Sequence, residues 1–319
     1  MSLKKKISNF LKPDYKTLNC GFMINPYHFV VVTVAYRGVF MGGTTGIAVN
    51  TMDYITIATL GNATNFGDLT AACRNSQGNV HSDTRGCLGG GVRNGALTNV
   101  IDYITIMTTG NATDFGDLTT SRYAVAGCNS DTRGVFCGGN DGAARNVMDY
   151  ITIATIGNAT DFGDLILADY PYFACNSDTR GIIGGGDSTF IDYITIATPS
   201  NSIDFGNLSY GKSNGGAAVN STTRGIMALG YSTGDVVVNV IEYITIATPS
   251  NATDFGDLTV SRANMAGVNS GTRGVFAGGD DASYKNIIDY ITIATIGNAT
   301  DFGDLTVART ALGGVNNGL

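Results

Sequence analysis

A short pattern of apolar and polar positions recurs along the chain. In residues 287–295, Ile, Tyr, Thr and Ala alternate with Ile and Asp, so that much of both faces is apolar. A β-branched and aromatic run of this kind predicts a strand. The phrase Asp-Tyr-Ile-Thr-Ile, in which Glu242 replaces the Asp once, repeats every 43 to 50 residues with its tyrosine at Tyr54, Tyr103, Tyr150, Tyr193, Tyr243 and Tyr290.

Two further phrases accompany each tyrosine. Twelve residues after it comes the phenylalanine of Asp-Phe-Gly-Asp-Leu, at Phe66, Phe115, Phe162, Phe205, Phe255 and Phe302. An Arg-Gly pair precedes it, at Arg37, Arg85, Arg133, Arg180, Arg224 and Arg273. Paired glycines follow each of these arginines after five residues, except in the fifth copy, which reads Leu229-Gly230. The chain is therefore built from six repeats.

Each repeat predicts four short strands. In the last complete copy these are residues 260–268, 274–277, 287–295 and 302–306, separated by turns rich in Gly and Asn. Four strands in every 43 to 50 residues are typical of a β-propeller. A superhelical β-solenoid is the alternative, but its coils are usually much shorter.

The two ends of the repeat region complete each other. Residues 305–317 match residues 258–270 and supply a first strand without a continuation, whereas the first repeat begins at Arg37, on a second strand. We therefore predict an all-β, six-bladed β-propeller over residues 29–319, closed by residues 310–315 pairing beside Gly38–Met41. The run Phe29–Val34 could compete for the same place, although it lacks the Asn-Ser turn that precedes the other Arg-Gly pairs.

Paired glycines, a tyrosine, a later aromatic and a following arginine resemble the kelch repeat, with Phe where that pattern has Trp. The phrases Asp-Tyr-Ile-Thr-Ile-Ala-Thr and Gly-Asn-Ala-Thr-Asp-Phe-Gly-Asp-Leu also resemble repeats in structural proteins of tailed bacteriophages, especially marine ones. This second resemblance implies a virion protein, such as a tail fibre or a capsid-associated protein. We expect it to be made in the cytoplasm without a secretory signal and to bind a host-surface glycan or protein.

Charge divides the chain into two parts. The net charge is −7, yet residues 1–20 carry five Lys and one Asp, so the rest carries −11. An acidic body disfavours nucleic-acid binding, and no apolar run is long enough for a membrane span. Residues 1–28, with Lys4, Lys5 and Lys6 beside a short apolar stripe, predict an arm that attaches the protein to other virion proteins. A solubilising tail or a membrane-surface helix are the alternatives.

The repeated residues allow more than one role. We expect the tyrosines and phenylalanines to pack between blades. The six arginines could form an anion-binding mouth, or each could pair with a repeated carboxylate: Asp68, Asp117, Asp164, Asp257 or Asp304. The connections between the glycines and the next tyrosine differ in every repeat, and they supply the candidate binding residues Arg93, Arg145, Tyr284 and Lys285.

Catalytic chemistry has little basis in this sequence. The two histidines, His28 and His81, lie outside the repeated phrases, and the six cysteines form no Cys-x-x-Cys pair. We therefore expect no catalytic residues, no metal site and no cofactor. The alternatives to a virion adhesion module are an intracellular protein-interaction scaffold and, more remotely, a carbohydrate-active enzyme that uses loop carboxylates.

Overall fold

The computed structural model describes residues 35–210, 215–232 and 234–318. Within these ranges the protein is all-β and contains no helix, so no helix there could cross a membrane. The predicted arm, with Lys4, Lys5 and Lys6, and the competing run Phe29–Val34 lie outside the described residues.

The strands of the described residues are short, mostly four to six residues. In chain order they are β1 (Arg37–Met41), β2 (Thr51–Thr56), β3 (Thr64–Asp68), β4 (Cys73–Arg74), β5 (Gly78–His81), β6 (Arg85–Gly89), β7 (Val92–Arg93), β8 (Ala96–Leu97), β9 (Val100–Thr105), β10 (Thr113–Asp117), β11 (Ala126–Asn129), β12 (Arg133–Cys137), β13 (Arg145–Thr152), β14 (Thr160–Asp169), β15 (Phe173–Asn176), β16 (Arg180–Gly184), β17 (Phe190–Thr195), β18 (Ile203–Asn207), β19 (Ala217–Asn220), β20 (Arg224–Ala228), β21 (Val240–Thr245), β22 (Thr253–Asp257), β23 (Ala266–Asn269), β24 (Arg273–Ala277), β25 (Ile287–Thr292), β26 (Thr300–Asp304) and β27 (Gly313–Asn316).

These strands form six antiparallel sheets of four strands each in the described part of the chain. We number them sheet 1 (β27-β1-β2-β3), sheet 2 (β5-β6-β9-β10), sheet 3 (β11 to β14), sheet 4 (β15 to β18), sheet 5 (β19 to β22) and sheet 6 (β23 to β26). A small three-stranded sheet, β4-β7-β8, accompanies them. The predicted repeat of four strands is confirmed, and the fold is a propeller-like all-β repeat.

The strand bounds of the last complete copy differ from the predicted ones. The third strand ends at Thr292 rather than at residue 295, and the fourth is Thr300–Asp304 rather than residues 302–306. In the last complete copy the first strand is only Ala266–Asn269, whereas residues 260–268 were expected to be extended. The backbone before it turns at Asn264, whose φ is +57°. Arg262 lies in this turn with its side chain fully buried.

The first and last segments of the described chain pair in sheet 1. Strand β27 runs antiparallel to β1, and Gly38 lies opposite Asn316 while Met41 lies opposite Gly313. The pairing predicted beside Gly38–Met41 is therefore present, although the strand starts at Gly313 rather than at residue 310.

A β-bulge interrupts the last strand of every sheet at the Asp-Phe-Gly-Asp phrase. In sheet 2, Asp114 pairs with Asp102 but Gly116 pairs with Ile101, so Phe115 has no cross-strand partner. Its ring is buried between the sheets. Gly116 has φ +143°, and a Cβ there would lie 2.5 Å from the carbonyl oxygen of Gly157 in the next sheet. Only glycine permits this backbone geometry and this close approach.

The core of the described chain consists of separate apolar layers between consecutive sheets. Each of six buried clusters combines side chains of two neighbouring sheets. One cluster contains Phe40 and Ile55 of sheet 1 together with Val275 and Phe302 of sheet 6. The sheets therefore pack face to face, as they do in propellers.

Candidate binding face

The six repeated arginines join each sheet to the next. Each guanidinium lies 4.2 to 4.7 Å above the ring centroid of the tyrosine in its own sheet, a cation–π distance. Each Nη1 also donates a hydrogen bond of 2.8 to 3.2 Å to a backbone carbonyl oxygen of the next sheet. The pairs are Arg37 with Ile106, Arg85 with Ile153, Arg133 with Ile196, Arg180 with Ile246, Arg224 with Ile293 and Arg273 with Ile57.

The expected pairing of these arginines with the carboxylates of Asp68, Asp117, Asp164, Asp257 and Asp304 is wrong. In sheet 1, Arg37 lies opposite Thr56 at one end of β2, whereas Asp68 lies opposite Thr51 at the other end. Five residues of strand separate the two side chains by about 17 Å. The interpretation of the same arginines as an anion-binding mouth stays a prediction.

Each repeated tyrosine also contacts the repeated phenylalanine of its own sheet edge to face. The ring centroids are 6.0 to 6.2 Å apart, and the interplanar angles are 73 to 78°. This geometry is favourable for aromatic pairs. The phenylalanines are buried in the intersheet clusters, so their predicted packing role is confirmed.

The aspartate before the tyrosine has a function that the sequence analysis missed. In three sheets it forms an ion pair with an arginine, and neither side chain is exposed: Arg309 with Asp53 at 2.7 Å, Arg122 with Asp149 at 2.9 Å, and Arg262 with Asp289 at 2.7 Å. A threonine after the leucine of Asp-Phe-Gly-Asp-Leu donates its hydroxyl to the same carboxylates at 2.6 to 2.7 Å. The phrase Leu-Thr-x-x-Arg was the available signal.

In sheet 2 a different residue, Arg93, takes the place of this arginine. Cys73 stands at the equivalent position, and Arg93 reaches in from the connection that follows the paired glycines. Its Nη2 lies 3.0 Å from Asp102, and its Nη1 donates to Thr70 Oγ1 at 2.8 Å. Because Arg93 is only 8 % exposed, its predicted role as a surface contact is corrected to that of a buried ion-pair partner.

The other three candidate binding residues are more accessible, although the Lys285 side chain is only 20 % exposed. Arg145 is 48 % exposed and donates from Nε to Asp141 at 2.8 Å, which lowers the pKa of that carboxyl. Lys285 lies 2.6 Å from Asp281, and Tyr284 beside it is 43 % exposed. The two connections that hold these residues, in sheets 3 and 6, have the same length and the same Asp–cation pair four residues apart, whereas those of sheets 2, 4 and 5 differ in length.

The variable connections share one side of the protein with the segments that lead from one sheet to the next. Isolated bridges link the two sets of loops, for example Tyr123 with Asn140 and Ala263 with Asp280. We call this side the variable face. On this face, where sheets 6 and 1 meet, a Cβ added to Gly46 would lie 3.9 Å from the hydroxyl of Tyr284, so the two connections lie close together. Ile47, the next residue after Gly46, is 77 % exposed.

The turns that contain the repeated asparagines, Gly-Asn in four sheets and Ser-Asn in sheets 4 and 5, make uniform contacts that join the sheets. Asn111 Oδ1 accepts a hydrogen bond of 3.0 Å from the backbone N–H of Asp68 in the preceding sheet. Equivalent bonds of 3.0 to 3.1 Å involve Asn62, Asn158, Asn201, Asn251 and Asn298. These asparagines therefore join neighbouring sheets.

A cavity of about 60 Å³ lies among the innermost strands of the sheets. A belt of asparagines lines it, and their amide oxygens accept backbone N–H bonds from the neighbouring strand, as Asn129 does from His81 at 3.1 Å. His81 occupies an asparagine position of this belt, so its placement outside the repeat pattern was wrong. Burial lowers the pKa of His81 to about 4.

The His, Cys, Asp and Glu side chains of the described residues form no evident metal-binding group. No cluster of three or more His, Cys, Asp or Glu with metal-binding geometry occurs there. Five cysteines of this region are buried free thiols, and burial raises the pKa of Cys87 to about 12.

No protein-family model matches this chain, and no curated protein is significantly similar to it. The kelch and bacteriophage resemblances therefore remain expectations from the repeated phrases alone. The structure itself supports a propeller-like repeat fold whose sheets are joined by uniform contacts and whose connections vary on one face.

Proposed function

We propose that the protein is a non-enzymatic binding scaffold, built as a closed six-bladed β-propeller, that serves as a structural or adhesion module of a virion. Closure is supported by the pairing of β27 with β1. It is also supported by the hydrogen bond from Arg273 of sheet 6 to Ile57 of sheet 1, which completes the series of arginine contacts. The apolar layer between these two sheets supports it further.

The observation that carries the binding role is the contrast between the framework and the variable face. The Arg–Tyr–Phe contacts repeat in all six sheets with distances that vary by a few tenths of an ångström. The connections on the variable face vary more: those of sheets 1, 3 and 6 share a bridged turn of equal length but differ in their side chains, and that of sheet 2 forms the β7-β8 hairpin. The connections of sheets 3 and 6 also carry partly exposed ion pairs. Loops on a rigid scaffold are free to diverge and commonly hold binding residues.

The strongest contact candidates on this face are Ile47, Tyr284 and Lys285, with Arg145 on a separate connection. An exposed aliphatic side chain beside an aromatic ring and a cation suits a protein or glycan surface, because such residues contribute large contact areas. A host-surface glycan or protein is therefore the proposed partner.

The virion assignment rests on the repeated phrases that resemble bacteriophage structural proteins and on the five lysines of residues 1–20. In this proposal the lysine-rich arm contacts acidic surfaces of other virion proteins. Mass spectrometry of purified virus particles should detect the chain as a stoichiometric component. Its absence from particles of a virus that encodes it would contradict the virion assignment.

Binding can be tested with the purified full chain on a glycan array and on intact bacterial cells. We expect Tyr284→Ala with Lys285→Ala to reduce binding at least tenfold. A matched control on the opposite loops, Leu60→Ser with Ile156→Ser, removes two exposed apolar side chains from the uniform turns and should leave binding unchanged. No binding by the natural chain, or equal binding by all three proteins, would refute the role of the variable face.

A further inference from the structure

Sheet 4 lacks the internal arginine that other sheets use. In sheets 1, 3 and 6 the Leu-Thr-x-x-Arg phrase supplies a threonine and a buried arginine to the carboxylate before the repeated tyrosine. In sheet 4 the corresponding residues are Ile166 and Asp169, and the carboxylate is Asp192. Sheet 2, which also lost its arginine, recruits Arg93 instead, but sheet 4 has no such replacement among the described residues.

Asp192 is consequently a buried carboxylate with no cation beside it in the part of the chain that the structure describes. It is 8 % exposed, and its Oδ2 accepts bonds from the Ser202 hydroxyl at 2.6 Å and the Ile166 N–H at 3.2 Å. Within the described residues its Oδ1 accepts no hydrogen bond and no arginine or lysine pairs with it. Ser202 occupies a position where the other repeats have alanine, so it compensates for only part of what was lost.

A cavity of about 120 Å³ lies beside Asp192. Asp169, Asp204 and Ser188 also line it. The carboxylate of Asp169 accepts a hydrogen bond of 2.9 Å from the Ser188 hydroxyl. A single water needs about 10–15 Å³ of such space, so the cavity can hold a larger group. Burial raises the pKa of Asp192, as expected for a carboxylate that has lost its cation.

The rim of this cavity is apolar and exposed. Ile166, Leu167 and Phe190 line it and are 52 %, 45 % and 47 % exposed. Large apolar side chains that cluster on an exposed surface are typical of a protein-binding site. A small free cation would not need apolar contacts of this extent, whereas the alkyl stem of a long basic side chain can pack against them.

We propose that this cavity, the sheet 4 pocket, binds the guanidinium group of an arginine presented by a protein partner. The partner's arginine would occupy the place that an arginine of the chain itself fills in sheets 1, 3 and 6. A planar guanidinium can donate to two carboxylates at once, here Asp192 and Asp169, whereas a lysine ammonium offers a single point charge. Ser188 and Phe190 of its lining belong to the connection after the paired glycines of sheet 4, so the pocket lies on the variable face, but it does not depend on the virion assignment.

The test measures binding of an acetylated and amidated Leu-Arg-Leu peptide to the full chain by calorimetry. We expect saturable binding, with at least tenfold weaker affinity for the Leu-citrulline-Leu peptide, which has the same shape without the charge. Asp192→Asn should weaken binding of the arginine peptide at least tenfold. Asp178→Asn, in an exposed turn of the same sheet, is the matched control and should bind normally.

A second variant keeps the proposal testable if Asp192→Asn misfolds. Asp169→Arg restores the arginine of the other repeats, so it should fill the pocket, abolish peptide binding and raise the thermal midpoint. The proposal is overturned if the natural chain does not bind the arginine peptide at millimolar concentration. It is also overturned if the arginine and citrulline peptides bind equally, or if both folded pocket variants bind like the natural chain.

Discussion

The buried ion pair between Arg262 and Asp289 should be a major source of stability. The two side chains are 2.7 Å apart and neither is exposed. Arg262→Met keeps the apolar stem but leaves the Asp289 charge buried without its cation. Removing one partner of a buried pair costs about 3–5 kcal/mol, which lowers the folding equilibrium constant by roughly two to three and a half powers of ten.

Equilibrium denaturation followed by far-UV circular dichroism measures this loss, and the lack of tryptophan favours this probe over fluorescence. The double variant Arg262→Met with Asp289→Asn removes the stranded charge and should recover much of the loss. Arg145→Met is the control, because its pair with Asp141 is exposed and should leave the midpoint nearly unchanged. The reasoning is refuted if Arg262→Met and Arg145→Met have the same midpoint and slope.

Two other predictions use matched positions in the repeats. Gly116→Ala should destabilise the fold more than Gly157→Ala. Both glycines have positive φ, but only a Cβ on Gly116 would meet backbone atoms, at 2.5 Å. The thermal midpoints of the two variants check this, and equal midpoints would contradict it. Because the pKa of His81 is lowered to about 4 in the folded protein, the unfolded chain binds a proton at His81 more readily. The free energy of unfolding should therefore fall by at most about 3 kcal/mol as the pH drops from about 6.5 to 4. His81→Asn, which restores the repeat residue, should flatten this part of the stability profile; an unchanged profile would contradict the assignment.

The regular spacing of the repeated phrases made the fold predictable. Tyr54 and its equivalents recur on strands that are apolar on both faces, and the paired glycines mark where the preceding strands end. The pairing of the last strand beside Gly38–Met41 followed from matching the incomplete last repeat to complete ones. The exact strand ends were less predictable, because the turn before the first strand depends on where a buried arginine must reach.

The partners of individual side chains were harder to predict. Arg37 donates to the backbone carbonyl of Ile106, and every residue offers such a carbonyl, so the sequence contains no specific signal for it. A repeated carboxylate was the expected partner, but the register places it at the opposite end of the sheet. Arg93 illustrates the same limit: only the structure shows that it replaces the arginine missing at Cys73.

Formation of an engineered disulfide between the first and last strands of sheet 1 tests ring closure most directly. Val39 and Val315 are cross-strand partners, so Val39→Cys with Val315→Cys should oxidise to an intramolecular disulfide, identified by peptide mass mapping. Val80→Cys is the matched positive control, because residue 80 lies opposite the native Cys87 at the equivalent place in sheet 2. We predict that both disulfides form, each in its own variant. A closed propeller would be contradicted if the Val80→Cys variant forms its disulfide while the folded variant with Cys at positions 39 and 315 does not.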